Sequence, residues 1–190
     1  DFFESRADPV MQQALKSVRS ILETAGAPIR DCPLPKEFES ILDYHRDLMQ
    51  FEMVQNMGAD YDRNGKFYGP AISQVLDAGR ELSQERFAAC LDYQNLISQV
   101  TRRCFARAEI LISPATVGPA PGPETTGNPC MNAPWSMTGF PTLSIPVSVT
   151  ADGLPLAIQI TGHPDKFNDL LLASQWCENV LRPGFLEQIS

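Results

Sequence analysis

The sequence predicts an α/β protein, a mixed β-sheet flanked by helices, on three observations. Residues 142–149 and 154–161, "TLSIPVSV" and "LPLAIQIT", are apolar runs of strand length. They are joined through "TADG", in which Asp152-Gly153 is a strong turn signal. Upstream, "DPVMQQALKSVRSILETA" puts Val10, Ala14, Val18, Ile21, Leu22 and Ala25 on one stripe at helical spacing. A further helical segment, Lys166 to Leu181, follows the second apolar run, so helices cover the strands.

The elements follow in order. Asp8 is placed to cap the first helix, Pro9 suits its first position and Gly26 ends it. "APIRDCPL" (27–34) then reads as a short strand closed by Pro33 and Pro35. Lys36 to Met57 is a second helix, with Phe38, Ile41, Leu42, His45, Leu48, Met49, Glu52 and Met53 towards one side. "GADYDRNGKFYGP" breaks regularity through its glycines and proline. A short helix spans Ile72 to Ala78, and Ser83 caps another that runs to about Ala108. "EILIS" (109–113) is a brief buried strand.

The stretch from Pro114 to Pro134 carries six prolines and three glycines. A connection of this length is commonly a lid or a binding loop. A helical turn is expected over Asn132–Thr138, and Pro146 marks a bulge or a non-central strand. The closing helix should face Leu170, Leu171, Ala173, Ser174, Cys177 and Leu181 inward. One domain results, residues 1–190, with few strands for its size, so its sheet calls for more from a partner or another part of a chain.

Composition removes several functions. The 190 residues are 43% hydrophobic and 20% charged, with a formal net charge of −8. An acidic chain with only Arg102-Arg103 side by side lacks a nucleic-acid footprint. No 18-residue apolar run exists for a membrane span. Five cysteines without a CxxC pair fit free thiols in a reducing compartment, the cytoplasm. The opening "DFFESRADP" has the look of the interior of a longer chain.

Catalytic residue types are scarce. His45 and His163 form no ligand pattern, so no metal is expected. GxGxxG and GxxxxGK[ST] are absent, and no cofactor is expected. GxSxG and an SxxK set are absent too. Cys130 could be stabilised as a thiolate at a helix start, but a nucleophile needs a base within reach, and a buried thiol is the simpler reading. His163 follows "QITG" at a strand end, where α/β sheets place active-site residues; a polar loop residue is the alternative. Trp135, Met137, Phe140 and Pro141 could line an apolar pocket. The residues themselves offer a pocket wall and no catalytic set.

"NAPWSMTGFPTLSIPVSVTADGLPLAIQITG" (132–162), followed by "NDLLLASQWCE" (168–178), closely resembles the C-terminal part of the amidase signature family. The series Gly139-Phe140-Pro141, Ser144 to Pro146, Asp152-Gly153-Leu154-Pro155 and Gln159 carries the resemblance. "AEILISPAT" (108–116) and "QQALKSVRSILETAGAPIRDCPLP" (12–35) extend it over nearly the whole chain. Ser136 stands where the family commonly has Asn, and Ala157 where Gly is frequent.

The resemblance implies the C-terminal portion of an amidase signature fold whose sheet is completed by an N-terminal part. In that family a Ser nucleophile, a cis-peptide Ser and a Lys base lie in the earlier half beside a Gly/Ser-rich stretch. This chain has no such stretch, so no catalytic residue carries over to it. The implied activity is hydrolysis of a small-molecule carboxylic amide to an acid and ammonia or an amine. The implied partner is the N-terminal portion of the same enzyme or a second chain bearing the catalytic residues; a homodimer fits the family. Trp135, Ser136, Met137 and His163 are the expected substrate-binding residues. The alternatives are a non-enzymatic scaffold of amidase ancestry and an amidotransferase-like subunit.

Overall fold

A computed structural model describes residues 2–188. Six α-helices and three strands are described: α1 (Pro9–Thr24), α2 (Ile41–Asn64), α3 (Pro70–Arg80), α4 (Gln84–Thr101), β1 (Ile110–Pro114), α5 (Ala133–Thr138), β2 (Thr142–Val149), β3 (Pro155–Gly162) and α6 (Phe167–Gln188). The strands lie in the order β1-β3-β2, and both pairings are antiparallel. The architecture is α/β, as expected.

The hairpin forms as the sequence predicts. Thr150 and Leu154 close its turn by Thr150 N donating to the Leu154 carbonyl at 2.8 Å. β2 carries a register shift between Pro146 and Ser148, because proline has no N–H to continue the ladder. One sheet face is apolar: Leu156, Ile158 and Ile160 of β3 are 0–1% exposed and belong to the core shared with α1 and α6. Met11, Ala14, Val18 and Leu22 form the buried stripe of α1.

Several boundaries differ from expectation. Residues 27–34 form no strand: Pro28 and Pro33, with Pro35 beyond, remove ladder donors, and the segment packs Ala27, Ile29, Cys32 and Leu34 against the core as an irregular connection. α2 does not stop at Met57 but continues through Gly58 to Asn64. Packing against α3 and the bond from Arg80 to the Gly58 carbonyl hold that extra stretch against the glycine's helix penalty of about 1 kcal/mol. α4 ends at Thr101 and tightens into a 3-10 segment over Arg102–Ala106, short of Ala108. Val10 and Ile21 (each 41% exposed), Met49 and Leu171 point outward, so the buried stripes are narrower than the apolar pattern. Asp8 makes no side-chain capping bond, whereas the Ser83 hydroxyl accepts from Arg86 N at 3.2 Å.

α2 and α4 form a second packed unit. Asp47 lies between Arg46 and Arg86, at 3.0 and 2.7 Å. Tyr44 stacks on Tyr93, and Phe51 on Phe87, with ring centres 4.0 and 4.1 Å apart. α3 crosses α2 at Gly79, where an added Cβ would press into the Gln50 carbonyl oxygen.

Candidate functional site

The second face of the sheet is polar. Pairing sets Ser113 and Ser144 on either side of Gln159, and Thr142 opposite Thr161, and residues two apart share a face. Gln159 is 1% exposed. Its amide nitrogen donates to the Met131 carbonyl at 2.7 Å and to Ser113 Oγ at 3.2 Å, tying the 129–131 turn onto the strands. Asn128 Oδ1 accepts from Cys130 N, and Asn132 Nδ2 donates to the Ala115 carbonyl, so the end of the long loop is pinned to β1. Thr161 Oγ1 and Trp135 Nε1 are buried without a hydrogen-bond partner.

α5 follows this turn. Pro134 suits its first turn, and Gly139 ends it at φ 71°, a left-handed conformation that a Cβ would strain. This short helix is buried nearly all round, with Trp135 and Met137 inside, and leaves only Ser136 exposed. The Trp135 indole stacks on Phe3, with centres 5.4 Å apart, and meets Phe38 edge-on at 6.1 Å. Trp135 and Met137 therefore sit beneath the surface that Ser136 presents.

His163 lies where β3 ends, beside the chain entering β2, since Gly162 N donates to the Pro141 carbonyl at 3.0 Å. Its ring is 6.4 Å from that of Phe140 and 5.7 Å from that of Phe105. Arg102 Nη1 is 3.1 Å from His163 Nε2 and donates to Asp165 Oδ2 at 2.8 Å. The Asp165 backbone N–H points at His163 Nδ1 from 3.2 Å. The Arg102 guanidinium holds the Asp165 carboxyl below its ordinary value. A cleft of about 480 Å³ opens here, lined by Arg102, Phe105, Arg107, Glu109, His163 and Lys166 among others.

Phe140 links α5 to His163, while Trp135 and Met137 belong to the core and Ser136 to the surface. Cys130 is 2% exposed, and burial pushes its thiol up, opposite to an activated nucleophile. No group of three or more His, Cys, Asp or Glu arranged to hold a metal ion occurs among the described residues. Sequence reasoning misses the bonded pair Gln159 and Ser113, and Thr161 on the same sheet face. The signal for Gln159 and Thr161 is the alternation within "AIQIT", where they interrupt Ile158 and Ile160.

A family model described as Amidase matches residues 1–171. The chain belongs to the amidase signature family. Among relatives of this family member is one component of the mitochondrial glutamyl-tRNA(Gln) amidotransferase of Anopheles gambiae. It is 24% identical over 212 residues, covering 92% of this chain and 43% of that protein. A solved amidase structure superposes with a TM-score of 0.88 at 21% identity, over 95% of this chain and 44% of that one. A bacterial aryl acylamidase of the amidase signature family gives a TM-score of 0.72 at 20% identity, over 92% and 41%. The amidase-family chain thus spans less than half the length of these relatives, and at such identities the structural likeness establishes the fold alone.

Proposed function

We propose that this chain is the later portion of an amidase that hydrolyses a carboxylic amide to an acid and ammonia or an amine. The family match over residues 1–171 carries the reading. The catalytic Ser, cis-peptide Ser and Lys belong, on this reading, to an N-terminal portion of the same enzyme or to a second chain. There the serine oxygen attacks the amide carbonyl, the leaving nitrogen takes a proton, and water then releases the acid from the acyl-enzyme. The present chain supplies sheet and pocket wall. Ser136 and the 114–130 loop face the substrate; Trp135 and Met137 set the position of that wall from beneath. His163 closes the same end of the sheet through Phe140. Five free cysteines support a reducing compartment, the cytoplasm.

A second reading is a component of an amidotransferase, favoured by the likeness to the glutamyl-tRNA(Gln) amidotransferase protein. Such a component would release ammonia from glutamine and pass it to a partner's acceptor.

The test is to purify the protein with any accompanying chain, determine intact masses under denaturing conditions, and assay a panel of small amides and glutamine. Release of acid and ammonia or amine from simple amides, by a preparation containing a Gly/Ser-rich segment, supports the amidase. Activity confined to glutamine supports the amidotransferase reading. A single 21.0 kDa species, inert on every amide, overturns both. In an active preparation, Trp135→Ala should change the ratio of rates on small and bulky amides. An unchanged ratio removes Trp135 from the wall.

A further inference from the structure

The cleft at the end of β3 has more positive charge and more hydrogen-bond donors than its own residues use. Arg102, Arg107 and Lys166 line it against a single acid, Glu109, in a chain whose net charge is −8. Asp165 engages Arg102, whereas Arg107 and Lys166 enter no ion pair among the described residues. His163 adds a local conflict. Its Nε2 faces an arginine N–H and its Nδ1 faces a backbone N–H, both obligate donors. A neutral imidazole accepts at one nitrogen only, so in either tautomer one ring N–H meets another donor. The Lys166 N–H donates to the His163 carbonyl at 2.9 Å, fixing the bend that holds these groups at the start of α6. Phe105 provides an apolar wall set edge-on to the His163 ring.

We propose that this cleft binds an organic oxyanion, a carboxylate or a phosphate monoester, with its charged oxygens among Arg102, Arg107 and Lys166 and its apolar body against Phe105. Asp165 Oδ2 already serves Arg102 and lies 3.7 Å from His163 Nδ1, so the acceptor an oxyanion adds is the one Arg107 and Lys166 have no acid to supply; charge-assisted bonds to guanidinium and ammonium groups are the strong kind. Glu109 in the lining disfavours polyanions. The site shares His163 with the proposed substrate wall but rests on the three cations and not on amide hydrolysis.

Hydrogen-exchange mass spectrometry on the protein, with any accompanying chain present, tests it. Sodium benzoate and phenyl phosphate are titrated separately at fixed ionic strength, with chloride as the balancing anion. Saturable protection of peptides covering residues 102–109 and 163–166 is expected with at least one probe; benzoate alone would mark a carboxylate site and phenyl phosphate alone a phosphoryl site. Because Arg107 and Lys166 are exposed, the double variant Arg107→Ala/Lys166→Ala should fold normally. It should raise the half-saturating concentration about tenfold or more, and Glu109→Gln should lower it. No saturable protection by either probe, or protection unchanged in the double variant, overturns the site whether or not the protein hydrolyses amides.

Discussion

Gln159 shows how one buried side chain can hold a loop to a sheet. Replacing it with Leu leaves the Met131 carbonyl without its donor in a buried setting, a loss of about 1–3 kcal/mol. Urea unfolding should register this as a lower midpoint, and no shift would mean the 129–131 turn is held by other bonds. His45 gives a pH dependence of defined sign. Burial holds its folded pKa below the ordinary 6.5, so below that pH the unfolded chain binds more protons. Its contribution is complete above about pH 6.5 and is lost as pH falls through the depressed folded value. The melting temperature should therefore fall between about pH 7.5 and 5.5, and His45→Gln should flatten that fall. The same slope in both proteins would assign it to other groups. At this scale the sequence is only partly readable: Trp135 and Met137 are legible as apolar, but which side of α5 they occupy depends on Phe3 and Phe38, far away in the chain.

Among the elements, the crossing of α2 and α3 depends on one residue without a side chain. A Cβ on Gly79 would press into the Gln50 carbonyl oxygen and meet Val54 at 2.8 Å, and backbone cannot step aside as a side-chain tip can. Gly79→Ala should therefore destabilise by about 1–3 kcal/mol despite alanine's better helix propensity. Thermal unfolding measures it, and a stabilised variant would mean that the helices separate at no cost. The hairpin, α5 and the start of α4 are legible because each is written locally, in Asp152-Gly153, Pro134 with Gly139, and Ser83. The continuation of α2 past Gly58 is not, because contacts with α3 decide it. The segment 27–34 misleads in the opposite direction: its apolar residues line the core, but its prolines deny it a ladder.

The whole molecule leaves an apolar flank open. Phe167, Leu171, Leu172 and Trp176 of α6 are 41–67% exposed, and a groove of about 340 Å³ runs between Leu143 and α6. β2 is an edge of the three-stranded sheet. Exposed apolar stripes beside a strand edge favour association. Leu172→Glu should leave stability within about 0.5 kcal/mol, since the side chain is 67% exposed, while reducing self-association in sedimentation velocity. Unchanged association would place the sticky surface elsewhere. The chain spans less than half the length of the relatives it matches, which agrees with a sheet of only three described strands. The residues alone offer only a low strand count.

Pro146 sets a limit on what that open edge can recruit. It follows Ile145 in β2, and the register is skipped at the next residue, Val147, so the strand bends there. A regular backbone ladder can therefore extend only along the first four residues of the edge, Thr142 to Ile145, before it loses step. A short, matched strand can be seated there, but a long strand of an unrelated chain cannot zip along the full length. The kink thus acts as a gatekeeper against runaway templating, leaving the edge receptive to one brief partner and poor as a seed for fibrils.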